Sequence, residues 1–225
     1  FEKSSLSKGE TFNDTMDTLI SMKPDALIIR DKNNFSPHEI YQKHKIPILN
    51  AGDGTNEHPT QALLDLCVIK SIFKDKKIKI GICGDIKHSR VAHSNIKLLS
   101  KLNHEIHIIA PNYFLDKKEL TKINRKLVFH KSLSKLPKLD VIMMLRVQKE
   151  RISKNAKSYM NSFKKDFCLN LNHLNNQPYL MHPGPVNRNI EIDSKVLDSY
   201  SKSLILRQVD MGVYLRMACL DFILK

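Results

Sequence analysis

No apolar run in this chain approaches the roughly 18 residues needed to cross a bilayer, which excludes a membrane-spanning helix. No secretory leader is expected: the chain opens Phe1-Glu2-Lys3, with no initiator Met and no apolar stretch behind it. Patterned sequence follows almost at once, so that opening is expected to be a fragment's start and not a natural one. The four cysteines, Cys67, Cys83, Cys168 and Cys219, are far apart, lie in apolar sequence and form no Cys-x-x-Cys pair. They predict buried free thiols in a reducing cytoplasm and argue against a disulfide framework or zinc site. His104-Glu105-Ile106-His107 lacks the i,i+4 helical spacing of a zinc protease, so no metal is expected there. Nucleophile-elbow and catalytic Cys/His contexts are absent as well. Acidic residues are outnumbered 23 to 37 by Lys and Arg, for a net charge of +14. The lysines are scattered in short clusters and no basic stripe alternates with aromatics. A positive field of that kind suits small anionic substrates better than specific nucleic-acid binding.

What is present is an alternation of helical and strand-like patterning. Phe12, Met16, Leu19 and Ile20 have helical spacing, ended by Lys23-Pro24. The run 26–29 predicts a buried parallel strand leading to Arg30. Ser36-Pro37 opens a helix to about His44. The run 46–49 predicts a strand that ends in a Gly-rich turn, Ala51-Gly52-Asp53-Gly54. Pro59 then begins a long helix. After it, strands are expected over 78–83, 105–110, around Val128, over 141–145 and over 179–181. Helices are expected over 91–102, 117–123 and 205–224. The alternation predicts parallel sheets covered by helices on both faces, with a domain boundary near Lys74.

In such sheets ligands sit beyond the carboxyl ends of the strands. The segments at those ends are rich in Arg, His, Gln and Gly. Arg30 follows a buried strand and offers a planar donor fork to a phosphate or carboxylate. In the stretch 52–61, two glycines permit close backbone approach, and Pro59 puts His58 and Gln61 at a helix's positive end, one turn apart. A His and a Gln there can donate to a carbonyl oxygen and accept from an amine. Gly84 to Arg90 follows a strand and precedes a helix, but lacks the glycines of a dinucleotide loop. Arg90 and the segment Arg146-Val147-Gln148-Lys149-Glu150-Arg151 can grip carboxylates. His182-Pro183-Gly184-Pro185 is a rigid turn whose prolines lack N–H groups, leaving backbone carbonyls free to accept from an amine. Read alone, the two Arg segments are as compatible with exposed ion pairs as with a ligand site, and the turn at 182–188 reads better as purely structural.

Taken together, five motifs resemble the carbamoyltransferase family in its aspartate-specific branch. They are Ser-Ser-Leu-Ser-Lys-Gly-Glu at 4–10, Asn-Ala-Gly-Asp-Gly-Thr-Asn-Glu-His-Pro-Thr-Gln at 50–61, Gly-Asp-Ile-Lys-His-Ser-Arg at 84–90, Arg-Val-Gln-Lys-Glu-Arg at 146–151 and His-Pro-Gly-Pro-Val-Asn-Arg at 182–188. The ornithine-specific branch typically has Cys at the place of Thr60 and His-Cys-Leu-Pro near 182–185; this sequence has neither. The resemblance implies two Rossmann-like α/β domains, the first truncated. Residues 1–58 would be part of a carbamoyl phosphate domain, 59–73 a linking helix, 74–203 an aspartate domain and 204–225 a helix packing back on the first domain. It implies carbamoyl transfer from carbamoyl phosphate to L-aspartate, an early step of pyrimidine synthesis, with no metal or organic cofactor. By position, Arg30 and His58 would contact carbamoyl phosphate, Gln61 and the carbonyls of Gly184 and Pro185 its NH2 group, and Arg90, Arg146 and Gln148 the carboxylates of aspartate. Ser4 and Lys8 would belong to a loop reaching a neighbour's site in a homotrimer. A regulatory or dihydroorotase-type partner is compatible with the resemblance. The family's phosphate-binding Ser-Thr-Arg-Thr-Arg loop lies upstream of the Lys8 segment, and this sequence begins after it. The 225-residue chain is therefore expected to show little or no activity. An inactive homologue kept as a binding or scaffold protein is the alternative, which the intact ligand positions disfavour.

Overall fold

The structure is a computed structural model that describes residues 9–148 and 156–225. Helix α1 (Phe12–Ser21) starts at Thr11, whose hydroxyl accepts from Asp14 N while the Asp14 carboxylate accepts from Thr11 N. Strand β1 (Leu27–Asp31) leads to α2 (Pro37–His44), capped by Ser36 with Pro37 in its first turn. Strand β2 (Ile48–Asp53) pairs in parallel with β1 and leads into α3 (Pro59–Phe73). Then come β3 (Lys79–Cys83), α4 (Arg90–Lys101), β4 (Glu105–Ile109), α5 (Lys117–Ile123), β5 (Val128–His130) and β6 (Val141–Met144). The chain continues through α6 (Ala156–Phe167), β7 (Tyr179–Met181), α7 (Ser194–Ser199) and α8 (Ile205–Ile223). Among the described residues no helix is long and apolar enough to cross a membrane.

The larger sheet has the order β5-β4-β3-β6-β7, and every pairing in it is parallel. Because side chains alternate across a strand, each strand feeds two cores. Ile80, Ile82, Ile106, Ile108, Val141 and Met143 face the layer of α3, α4 and α5. Cys83, Ile109, Ile142 and Met144 face the opposite layer, with Phe163, Phe167 and Val196. Burying each such aliphatic side chain contributes roughly 1.5–3 kcal/mol. The expected α/β architecture with helix-covered parallel sheets is the one observed.

The chain runs outward from β3 through β4 to β5, then returns to the other side of β3 for β6 and β7. The carboxyl ends of β3 and β6 therefore flank a switch point, where the two outgoing loops part and leave a crevice. Helix α3 is wedged between α4, α8 and β2, and joins the small sheet to the large one. The outer face of α8 leaves Leu206, Val209, Val213, Met217 and Phe222 exposed.

Some local expectations need correction. Of the turn expected at 51–54, residues 51–53 belong to strand β2, which extends to Asp53 through a register shift opposite β1, and the turn begins only at Gly54. Gly52 makes this possible with φ of +120°, a backbone conformation side-chain-bearing residues avoid. Helices α6 and α7 went unanticipated, because α6 is rich in lysine and α7 is one short turn pair. All four cysteines are free thiols, but only Cys83 is buried; Cys67 within α3, Cys219 within α8 and Cys168 just after α6 are half-buried.

Candidate active site

The segment between β2 and α3 is built around a buried carboxylate. Asp53 accepts from Asn50 Nδ2 at 2.9 Å, Asn56 Nδ2 at 2.8 Å and the Glu57 N–H at 3.0 Å, which holds the loop in one shape. Glu57 in turn accepts from Ser94 and Lys97 on α4, while His93 meets the Thr55 carbonyl at 2.7 Å. The His58 N–H donates to Ser94 Oγ at 2.8 Å. These bonds dock the loop onto the first turns of α4 and bring His58 close to Arg90.

His58 is the N-cap residue of α3, yet its side chain makes no capping bond. The ring is buried and meets Thr60 Oγ1 through Nδ1 at 3.5 Å. Burial pushes its pKa down to about 4, helped by the charges of Arg90, Arg30 and Arg216 and opposed by Asp53. At neutral pH the ring is an uncharged imidazole among guanidinium groups. Arg30 lies on β1 with its side chain exposed. Arg90 opens α4 behind the Ser89 cap. Its Nη1 donates to the Asp31 carbonyl at 3.4 Å, and its guanidinium lies against Gly52, where a Cβ would come within 2.8 Å of the Arg90 Cζ. Thus Gly52 serves two needs, the backbone kink and the seat of an arginine.

Gln61 lies in the first turn of α3, buried, with Nε2 donating to Asp65 Oδ1 at 2.9 Å. Two further amides reach the same carboxylate: Gln208 Nε2 to Oδ1 at 2.8 Å and Asn95 Nδ2 to Oδ2 at 2.8 Å. Gln208 Oε1 accepts the His182 N–H at 2.8 Å, which ties the turn after β7 to the same hub. In that turn His182 Nδ1 accepts from the Gly184 N–H at 2.8 Å, and Gly184 and Pro185 are exposed and joined by a cis peptide bond. Burial, with the charge of Arg146, pushes His182 down to about 4.

Arg146 and Gln148 follow β6, and both are half-buried. Gln148 Nε2 donates to the His88 carbonyl at 2.9 Å, joining this segment to the loop that carries Arg90. Between β6 and the 182–191 segment stands a second buried carboxylate. Glu191 accepts from the Val147 N–H at 2.8 Å, from the Asn187 N–H at 2.8 Å and from Asn187 Nδ2 at 2.7 Å. So Arg30, His58, Gln61 and Arg90 gather about one loop and the start of α3. Gln148 bonds to the segment that carries Arg90, Gln208 ties the turn after β7 to the Asp65 hub, and Glu191 joins the backbone beside Arg146 to Asn187. Ser4, Lys8, Lys149 and Arg151 lie outside the described residues.

Sequence reasoning missed Asp65, Asn95, Gln208, Glu191 and Arg216. Only Asp65 carried a local signal, its i,i+4 spacing from Gln61 on an otherwise apolar face.

The family model of the aspartate/ornithine carbamoyltransferase Asp/Orn binding domain matches residues 76–223, and that of the carbamoyl-P binding domain matches residues 1–71. The chain belongs to the aspartate/ornithine carbamoyltransferase family. Among its carbamoyltransferase relatives, the aspartate carbamoyltransferase catalytic subunit of Pelagibacter ubique is 43% identical, aligned over 96% of this chain and 70% of its own length. The catalytic subunit of Campylobacter jejuni is 41% identical, over 97% of this chain and 73% of its own. Among solved structures, the Trypanosoma cruzi aspartate transcarbamoylase bound to carbamoyl aspartate and phosphate superposes with a TM-score of 0.82 at 32% identity, covering 98% of this chain and 72% of that one. The same enzyme bound to N-(phosphonacetyl)-L-aspartic acid gives 0.82 at 33% identity, covering 97% and 72%.

Proposed function

We propose that the chain transfers the carbamoyl group of carbamoyl phosphate to the amino group of L-aspartate, giving N-carbamoyl-L-aspartate and phosphate. The observation that carries this reading is an uncharged His58 set among guanidinium groups at the start of α3, with Gln61 one turn along. The reaction joins an amine to a carbonyl carbon already bonded to a good leaving group. It needs a donor for the oxygen that becomes negative, cations for phosphate and carboxylates, and an acceptor for the carbamoyl N–H groups.

In this reading the phosphate of the donor is held by Arg30. His58, as neutral imidazole, donates to the carbonyl oxygen as negative charge grows there. Gln61 and the carbonyls of Gly184 and Pro185 orient the NH2 group. Arg90, Arg146 and Gln148 take the two carboxylates of aspartate and bring its amine to the carbonyl carbon. The C–N bond forms, the C–O bond to phosphate breaks, and the departing phosphate, a base, accepts the amine's proton. Residues 1–58 then form the carbamoyl phosphate side, 59–73 the link, 74–203 the aspartate side and 204–225 a closing helix. The working enzyme is a cytoplasmic homotrimer in which Ser4 and Lys8 reach a neighbouring site.

Titration of the labelled chain with N-(phosphonacetyl)-L-aspartic acid tests the site directly. The side-chain resonances of His58, Arg90 and Arg146 are expected to shift together at saturation; a ligand that leaves all three unmoved sinks the reading. In an active preparation, His58→Ala is expected to lower kcat by about 10²–10³-fold.

A further inference from the structure

Gln61 and Asp65 lie one turn apart on α3, and the hydrogen-bond pattern around them has a directional consequence. An ionised carboxylate only accepts hydrogen bonds. Asp65 is wholly buried and surrounded by three primary amides, each of which turns its NH2 group inward: Gln61 and Gln208 to Oδ1, Asn95 to Oδ2. Every one of these amides must then point its oxygen elsewhere. Gln208 Oε1 lands on the His182 N–H. Asn95 Oδ1 is buried and finds no partner among the described residues, although Asn95 Nδ2 also reaches the Val91 carbonyl at 3.1 Å. Turning the Asn95 amide over would put its oxygen against the carboxylate, so Asp65 dictates orientation even where an oxygen is left unsatisfied.

We infer that Asp65 is a positioning residue that fixes the Gln61 amide with its oxygen outward, so that the site accepts from an N–H group of its donor substrate and discriminates a carbamoyl group from an acyl group of the same shape. This rests on the carbamoyl-transfer reading above and adds to it the source of the preference for an NH2-bearing donor. A site whose Gln61 amide could turn freely would offer either a donor or an acceptor and would lose the distinction. The same carboxylate, through Gln208, sets the turn that presents the Gly184 and Pro185 carbonyls, so three acceptors are aligned by one buried charge. The raised pKa of Asp65, pushed by burial to about 6 against the pull of its three amide donors, leaves it ionised at neutral pH.

Two measurements on the purified chain decide the matter. Binding of carbamoyl phosphate is compared with that of acetyl phosphate, which carries CH3 in place of NH2, in the unaltered protein and in Asp65→Asn. The substitution keeps the shape but brings its own N–H to the hub, freeing Gln61 to turn. It is expected to weaken carbamoyl phosphate about tenfold, the weight of roughly one buried hydrogen bond, while acetyl phosphate changes less than about twofold. Equal losses for both ligands, as a general structural role would give, or no loss for either, overturn the inference. The second measurement needs no substitution: hydrogen exchange at the Gln61 side-chain amide by ¹⁵N NMR. Slow exchange is expected; free exchange overturns the inference even if the variant does not fold. If the unaltered chain bound neither phosphate while the Gln61 amide was protected, the carbamoyl-transfer reading would fall and the Asp65-directed orientation would stand.

Discussion

The behaviour of His58 follows from two opposing needs at one position. Its backbone must cap α3, which places it where the loop docks onto α4, and its ring must stay uncharged beside Arg90 and Arg30. A charged ring would add a cation to a cluster of cations in a buried setting, so the proton leaves instead. The ring titration followed by NMR is expected to have its midpoint near 4, and Arg90→Ala is expected to move that midpoint upward by removing the largest repulsive charge. A midpoint at the ordinary histidine value in the unaltered chain sinks this account. His58, Gln61 and Arg90 were legible as candidates in the sequence because a Pro-started helix and a segment between a strand and a helix are local signals. The neutrality of His58 was not, since Arg30 and Arg216 reach it from β1 and α8.

At the scale of elements, the segment after β6 owes its place to Glu191. Strand β6 ends at Met144, and no regular pairing carries the chain onward through Arg146 and Gln148. The Glu191 carboxylate replaces that pairing by accepting from the Val147 N–H while also holding Asn187. Glu191→Gln puts an NH2 group among N–H donors and is expected to cost about 1–3 kcal/mol in urea unfolding. It should also speed hydrogen exchange at Val147. An unchanged midpoint with an unchanged Val147 rate would show that the segment is held by something else. Sequence patterning located β6 and the turn at 182–185, but a Glu 44 residues from its partner gives no local sign.

For the whole molecule, buried ionisable groups link folding to pH in opposing directions. His182 is pushed from 6.5 to about 4, so between those values the unfolded chain binds more protons and stability rises with pH. Asp65 is pushed from 3.8 to about 6, so in that window the folded chain binds more protons and stability falls as pH rises. Substitutions should therefore tilt the stability curve in opposite senses. Between about pH 4.5 and 6, His182→Asn is expected to lower the slope of unfolding free energy against pH, and Asp65→Asn to raise it, each by up to about 1.4 kcal/mol per pH unit. Urea unfolding at a series of pH values reads both slopes; tilts of the same sign would contradict the burial of one of the two groups.

Apolar alternation, helix caps and strand-end motifs depend on neighbours a few residues away, so the sequence by itself determined the α/β class, most element positions and the residues around which a site should form. Which strand ends share a crevice was decided only by the sheet order, with β6 returning beside β3. The hubs at Asp65 and Glu191 were likewise decided by tertiary structure. A buried carboxylate is tolerated only where several donors converge on it, and here those donors come from helices and turns that meet only when the chain is folded.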